Sequence, residues 1–133
     1  MTDCIFCKVV KNELPSYKVY EDEFTLAFLD IYPVYKGHTL VIPKKHYENV
    51  AEITEVDLTA VVKTAKKMAK LLKDKLNCDG INLVQSNGKA AGQVVMHFHM
   101  HVVPRFTDDG LNLWSHGRKS EINLKEIHEQ ITK

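Results

Sequence analysis

The strongest constraint on the fold is a run of apolar residues at three- and four-residue spacing between Leu58 and Leu76. The spacing puts them on one side of a helix of about six turns, with lysines on the other side. Thr54, with the acid Asp57 three residues on, is typical of a helix N-terminus. The apolar residues are Leu58, Val61, Val62, Ala65, Met68, Ala69, Leu72 and Leu76.

Short strands are predicted around this helix. Apolar residues alternate from Tyr17 to Phe28 about a turn at 21–23, which predicts a β-hairpin with one buried face. Further strands are predicted at residues 38–43, 81–85 and 95–103, the last closed by Pro104, and short helices at 4–12 and 122–131. No alternating βαβ units appear, so we expect an α+β domain with about five antiparallel strands and the long helix on one face.

Composition limits the classes of protein to which the chain can belong. The chain has 133 residues, 44% of them hydrophobic, and a formal net charge of +1. This predicts one globular domain over residues 1–133, without the charge that attracts nucleic acid or an acidic membrane. The sequence has no apolar run of about 20 residues, no signal-peptide pattern and an odd number of cysteines. We therefore expect a cytoplasmic protein with reduced thiols.

Three alternating histidines are the main functional signal. In a strand, His97, His99 and His101 share one face about 6.6 Å apart, while Phe98 and Met100 point into the core. Surface histidines on a half-buried sheet are the plainest interpretation. Strict alternation beside a glycine-containing loop makes that interpretation much weaker.

Two kinds of chemistry fit the three rings. They could hold one zinc ion that activates water, although His97 and His101 lie about 13 Å apart along a strand and zinc needs nitrogens at about 2.0–2.1 Å. Alternatively, His99 is a nucleophile, with a backbone carbonyl fixing its tautomer and His101 bonding a phosphate oxygen or the leaving group. We favour the nucleophile, and a nucleotide-binding scaffold with little turnover is the non-enzymatic alternative.

Two further motifs could bind a ligand or a metal. Gly88 and Gly92 permit a loop whose N–H groups cradle an anion, or a plain turn. Cys4 and Cys7 form Cys-x-x-Cys, which is either half of a metal site or two semi-buried thiols, since the βαβ context of redox motifs is absent. Cys78, near the helix end, is expected to act as a small hydrophobe.

Together these motifs resemble the histidine triad (HIT) superfamily, in its bacterial, Hint-like branch. The alternating histidines after Gly92-Gln93 carry the resemblance, which covers about residues 3–106 and leaves 107–133 as a C-terminal tail. The other matching segments are Cys4–Cys7, Tyr20–Asp22 with Phe28–Asp30, Gly37–Lys44, Lys45-His46 and Asn87–Gln93.

The resemblance implies a homodimeric nucleotidyl transferase or hydrolase for nucleoside-phosphate-X substrates. Such substrates are purine nucleoside phosphoramidates or dinucleoside polyphosphates, and the product is a nucleotide of the AMP or GMP type. By position, His99 matches the nucleophile, His101 the phosphate partner and His38 a further histidine near the active site. The nucleotide contacts implied are Asp30 for the ribose, Phe28 and Ile31 for the base, and Asn87, Gly92, Gln93 and the Val94 backbone for the phosphate.

The resemblance also implies a structural zinc ion on Cys4, Cys7, His46 and His97, with no catalytic cofactor. A closed Cys₂His₂ tetrahedron leaves no coordination position for catalysis.

One residue of the sequence departs from the pattern of the HIT superfamily. Val94 stands where many relatives carry a polar residue, often serine, so a side-chain donor to phosphate is lost.

Overall fold

The computed structural model describes residues 3–112 and 122–133. The elements in chain order are α1 (Ile5–Val10), β1 (Lys18–Glu21), β2 (Thr25–Leu29), β3 (Thr39–Pro43), α2 (Glu55–Leu76), β4 (Gly80–Gln85), β5 (Met100–Arg105) and α3 (Leu124–Thr132). The strands form one antiparallel sheet in the order β1-β2-β3-β5-β4. This confirms the predicted α+β class. Among the described helices, none is long and apolar enough to cross a membrane.

Helix α2 covers one face of the sheet, as its apolar spacing predicts. Val61, Ala65, Met68 and Leu72 pack in a buried cluster with side chains of β2, β3 and β5. The helix starts where the Thr54 side chain accepts the Asp57 N–H, and it ends at Asn77 in the left-handed conformation. The apolar stripe is narrower than predicted, because Val62 is exposed.

Helix α1 covers part of the other face. Phe6 and Val9 form a second cluster with Leu26 and Phe28 of β2 and with two residues of β3. Strand β2 is therefore buried on both faces, and the prediction of a hairpin with one buried face was wrong for it. The hairpin pattern could not show that the N-terminal turn folds back over the sheet.

Strand β5 differs from the predicted strand at 95–103. It begins at Met100 and runs through Pro104 to Arg105. The β3–β5 register pairs Val41 with Met100, which would place Pro43 opposite Phe98. Because proline has no N–H to donate, the ladder ends there. Phe98 and Met100 still pack into the α2 cluster, as predicted, but residues 97–99 approach the sheet as an irregular segment.

Helix α3 confirms the short terminal helix. The Asn123 side chain caps its N-terminus by accepting the Glu126 N–H, and none of its residues is buried.

Candidate active site

His99 is held in one tautomer by the backbone. Its Nδ1 lies 2.7 Å from the carbonyl oxygen of His97. A carbonyl only accepts, so Nδ1 carries the proton and Nε2 keeps its lone pair. Burial lowers the pKa of His99, against the opposing effects of the His97 carbonyl and the Asp30 charge. The ring is therefore neutral at pH 7 and nucleophilic at Nε2.

His38 and His101 form a hydrogen-bonded pair beside His99. The Val34 N–H donates to Nδ1 of His38 at 3.1 Å, and Nε2 of His38 lies 2.8 Å from Nδ1 of His101. With Nδ1 of neutral His38 occupied as an acceptor, its proton sits on Nε2 and is donated to His101. His101 is then protonated at Nε2. Burial, and next the neighbouring His99 and His38, lower the pKa of His101 to about 4.

Asp30 lies at the end of β2 against this pair. Its Oδ2 is 3.5 Å from Nε2 of His38, and its Oδ1 accepts the Tyr32 N–H at 2.9 Å. Burial lowers the pKa of His38 while the Asp30 charge opposes that shift. The carboxylate therefore contributes negative potential at the histidines.

A cleft opens beside His38 and His101, on the part of the sheet that α1 leaves uncovered. It has a volume of about 470 Å³ and a largely apolar wall that includes Val34, Val84 and Val103. The cleft gives a substrate group room next to the His101 ring.

The loop between β4 and β5 is braced by its own polar groups. Asn87 Oδ1 accepts the Val50 N–H at 2.7 Å, and the Gly92 N–H donates to Lys89 O at 3.0 Å. The buried Gln93 amide accepts the Gly88 N–H and donates to the Glu48 carbonyl. Bracing is thus the role that the geometry shows for Asn87, Gly92 and Gln93, and their contact with a nucleotide stays a prediction.

The backbone directly after Gln93 faces outward at Val94. Val94 is 86% exposed, and Gly92, two residues before it, has φ +96°, in the region that favours glycine. Within the described residues, the N–H groups of Val94 and Val95 donate to no protein acceptor. These two donors are available to an anion.

Cys4, Cys7, His46 and His97 converge as a candidate metal centre. Their ligand atoms all lie within 4.8 Å of one another. Nδ1 of His97 is 3.4 Å from Cys4 Sγ and 3.2 Å from Nδ1 of His46, and Cys7 Sγ is 3.4 Å from Nδ1 of His46. Tetrahedral zinc with ordinary bond lengths requires about 3.5 Å for sulfur to nitrogen and about 3.3 Å for nitrogen to nitrogen. The four side chains therefore fit zinc.

The surroundings of this cluster also suit a metal. Nε2 of His97 lies 2.9 Å from the Pro43 carbonyl oxygen, a partner typical of metal-binding histidines. Burial, and next the neighbouring Cys4, raise the pKa of the Cys7 thiol to about 11. The raised pKa favours the protonated thiol. A bound cation favours the thiolate instead, because thiols bind zinc as thiolates.

The three alternating rings do not converge on one ion. Both nitrogens of His97 are directed to the cysteine cluster and to Pro43, away from His99. Asp30, His38 and His101 lie close enough for a second metal group. Their 2.8 Å nitrogen–nitrogen contact, however, is a hydrogen bond and is shorter than the edge of a metal tetrahedron. The geometry thus disfavours a triad-bound catalytic zinc.

Comparison with known proteins identifies the family of this chain. The family model described as the HIT domain matches residues 11–108. The chain belongs to the HIT family. A HIT family member from Bacillus subtilis has a crystal structure with a TM-score of 0.89 and 42% identity, and the match covers 98% of this chain and 95% of that one.

Two other relatives are informative about a possible substrate and a possible metal. An adenosine 5′-monophosphoramidase of Saccharomyces cerevisiae is 44% identical over 96% of this chain and 80% of its own length. A zinc-bound histidine triad family protein from Mycobacterium smegmatis has a TM-score of 0.81 and 36% identity, with 88% of this chain and 85% of that chain covered.

Phe6 is the site residue that sequence reasoning missed in this HIT chain. Its ring lies edge-on to His99, with centroids 5.3 Å apart, and edge-on to Phe28 at 5.4 Å. Phe28 is buried in that contact, whereas Ile31 is 70% exposed. The available signal was the position of Phe6 between Cys4 and Cys7, since a helix that brings both thiols to the histidines must also turn a side chain toward the sheet.

Proposed function

We propose that this HIT protein hydrolyses nucleoside 5′-phosphoramidates through a nucleotide covalently attached to His99. The supporting observation is the 2.7 Å bond between His99 Nδ1 and the His97 carbonyl, which leaves Nε2 unprotonated beside the His38–His101 pair. A relative named as an adenosine 5′-monophosphoramidase supports the same substrate class.

In the first step, Nε2 of His99 attacks the α-phosphorus. A Nε2–P bond forms and the P–N bond to the leaving amine breaks. The leaving nitrogen takes a proton from a water molecule, which becomes hydroxide, while neutral His101 keeps its Nε2–H and donates it in a hydrogen bond to the reacting phosphate. The His97 carbonyl stabilises the positive charge that develops on the His99 ring.

Water completes the reaction. The hydroxide oxygen attacks phosphorus and the Nε2–P bond breaks. The nucleoside monophosphate leaves, and His99 returns to its neutral ring with the proton on Nδ1. Asp30 contributes a carboxylate for ribose hydroxyls, and the N–H groups of Val94 and Val95 donate to phosphate oxygens.

Zinc has a structural part in this proposal. Cys4, Cys7, His46 and His97 would hold it in a closed tetrahedron that ties α1 and the β3–α2 loop to the segment before β5. Purine preference, dinucleoside polyphosphates as further substrates, a homodimer and a cytoplasmic location also remain predictions.

The test is trapping of the intermediate. Wild type and His99→Ala are mixed with adenosine 5′-phosphoramidate, quenched in base and analysed by intact-protein and peptide mass spectrometry. We expect one adenylyl group on the peptide with His99, and no adduct or turnover in the variant. Turnover by His99→Ala would replace this proposal with a metal-dependent hydrolase. So would turnover that is lost when metal is removed and regained when metal is added, while His99 stays unmodified. AMP binding without turnover by wild type would favour the scaffold.

A further inference from the structure

The peptide unit between His97 and Phe98 connects the nucleophile to a residue outside the triad. Its carbonyl accepts from Nδ1 of His99 at 2.7 Å, and its N–H donates to the Tyr47 carbonyl at 2.6 Å. Because a peptide group is planar and rigid, movement at one end tilts the other. Hydrogen bonds at both ends of an amide also polarise each other.

This N–H has no strand partner. Strand β5 begins at Met100, and Pro43, which would face Phe98, carries no N–H and is bonded through its carbonyl to His97. The Tyr47 carbonyl is therefore the group that fixes the peptide on this side. Buried N–H groups require such a partner, and the Phe98 side chain is fully buried.

Tyr47 is itself anchored to α2. Its hydroxyl donates to Oδ2 of Asp57 at 2.6 Å, and Asp57 is buried in the first turn of the helix. The Asp57 N–H in turn donates to the Thr54 hydroxyl at 3.2 Å. A loop tyrosine held by a capped helix has little freedom to shift its own carbonyl.

We propose that Tyr47, locked by Asp57, is a positioning residue that sets the orientation of the His99 ring. The chain of contacts runs from α2 through Asp57, Tyr47 and the 97–98 peptide to Nδ1 of His99. This inference rests on the proposed function, in which Nε2 of His99 must meet phosphorus in line. Misplacement of a reacting group by about 1 Å can cost about a hundredfold in rate.

The test compares four single variants. Tyr47→Phe and Asp57→Ala remove the anchoring bond, whereas Asp57→Asn keeps an oxygen that accepts from the tyrosine hydroxyl. Tyr20→Phe is the matched control, because it removes another tyrosine–aspartate bond, the 3.0 Å contact of Tyr20 with Asp22, at the far end of the sheet. Each variant is assayed below its melting temperature with adenosine 5′-phosphoramidate.

We expect Tyr47→Phe and Asp57→Ala to lower kcat by about tenfold, with KM within about twofold of wild type. Asp57→Asn should recover most of the kcat lost in Asp57→Ala, and Tyr20→Phe should match wild type. An unchanged kcat in Tyr47→Phe, or an equal loss in Tyr20→Phe, would overturn the proposal. Loss of bound zinc in step with kcat would also overturn it, since Tyr47 would then act through its neighbour His46.

A readout without turnover separates this inference from the proposed function. Amide hydrogen exchange at Phe98 should be slow in wild type and in Tyr20→Phe, and faster in Tyr47→Phe. The NMR signal of the His99 Nδ1–H should weaken in parallel. If wild type fails to cleave the phosphoramidate but these signals respond, the proposed function fails while the positioning stands. If they do not respond, the positioning fails.

Discussion

Nε2 of His38 lies 2.8 Å from Nδ1 of His101, although 63 residues separate the two histidines in the chain. Strand β3 starts just after His38 and pairs with β5 through Leu40 and His101, so the sheet brings the two rings together. The contact fixes which nitrogen of His101 carries its proton.

The first prediction removes this contact. His38→Ala should lower kcat for adenosine 5′-phosphoramidate by about tenfold to a hundredfold, because His101 loses the donor that fixes its tautomer. Steady-state kinetics measure the effect, and His128→Ala on the exposed α3 is the control that should retain wild-type kcat. An unaltered kcat in His38→Ala would show that the pair has no catalytic role.

A second prediction concerns zinc. The purified protein should bind about one zinc ion per chain, and a strong chelator should lower its melting temperature. Cys7→Ser should lose the ion, as measured by elemental analysis. Cys78→Ala is the control, because its buried thiol lies outside the cluster and its loss should leave the zinc content intact. Full zinc content in Cys7→Ser would refute the assigned ligands.

Stability should fall in acid because of His101. Its pKa is about 4 in the folded protein, below the ordinary 6.5 of an unfolded chain. The unfolded chain thus binds the proton first as pH falls, and the free energy of unfolding decreases between about pH 6.5 and 4. Urea titrations across this window should show a smaller decrease for His101→Gln than for wild type. His128→Gln should follow wild type, and equal slopes in all three proteins would contradict the prediction.

The end of α2 offers a test of the fold alone. Asn77 is exposed and has φ 54° and ψ 42°, which most side chains adopt only with strain. Asn77→Ala should lower the free energy of unfolding by about 1 kcal/mol, whereas Asn77→Gly should hold or raise it. Denaturant unfolding measures both, and kcat should stay constant. Equal stability of the two variants would mean that this backbone conformation relaxes on substitution.

Sequence reasoning reached much of the fold because its signals were local. The spacing from Leu58 to Leu76 and the cap at Thr54 predict α2 without reference to the rest of the chain. It missed the start of β5, because the absent N–H of Pro43 matters only once β3 lies beside β5. It also missed the second buried face of β2, because α1 covers that face only once the chain has folded.

The sequence by itself determined the chemical inventory: three alternating histidines, a Cys-x-x-Cys pair, a glycine loop and one amphipathic helix. Only the tertiary structure decided how these groups are used. In the folded chain the His97 ring contacts Cys4, the His97 carbonyl accepts from His99, and His38 is hydrogen-bonded to His101. The physical reason is that a ring's tautomer and direction depend on hydrogen-bond partners far away in the chain, whereas periodicity and capping depend on neighbours within a few residues.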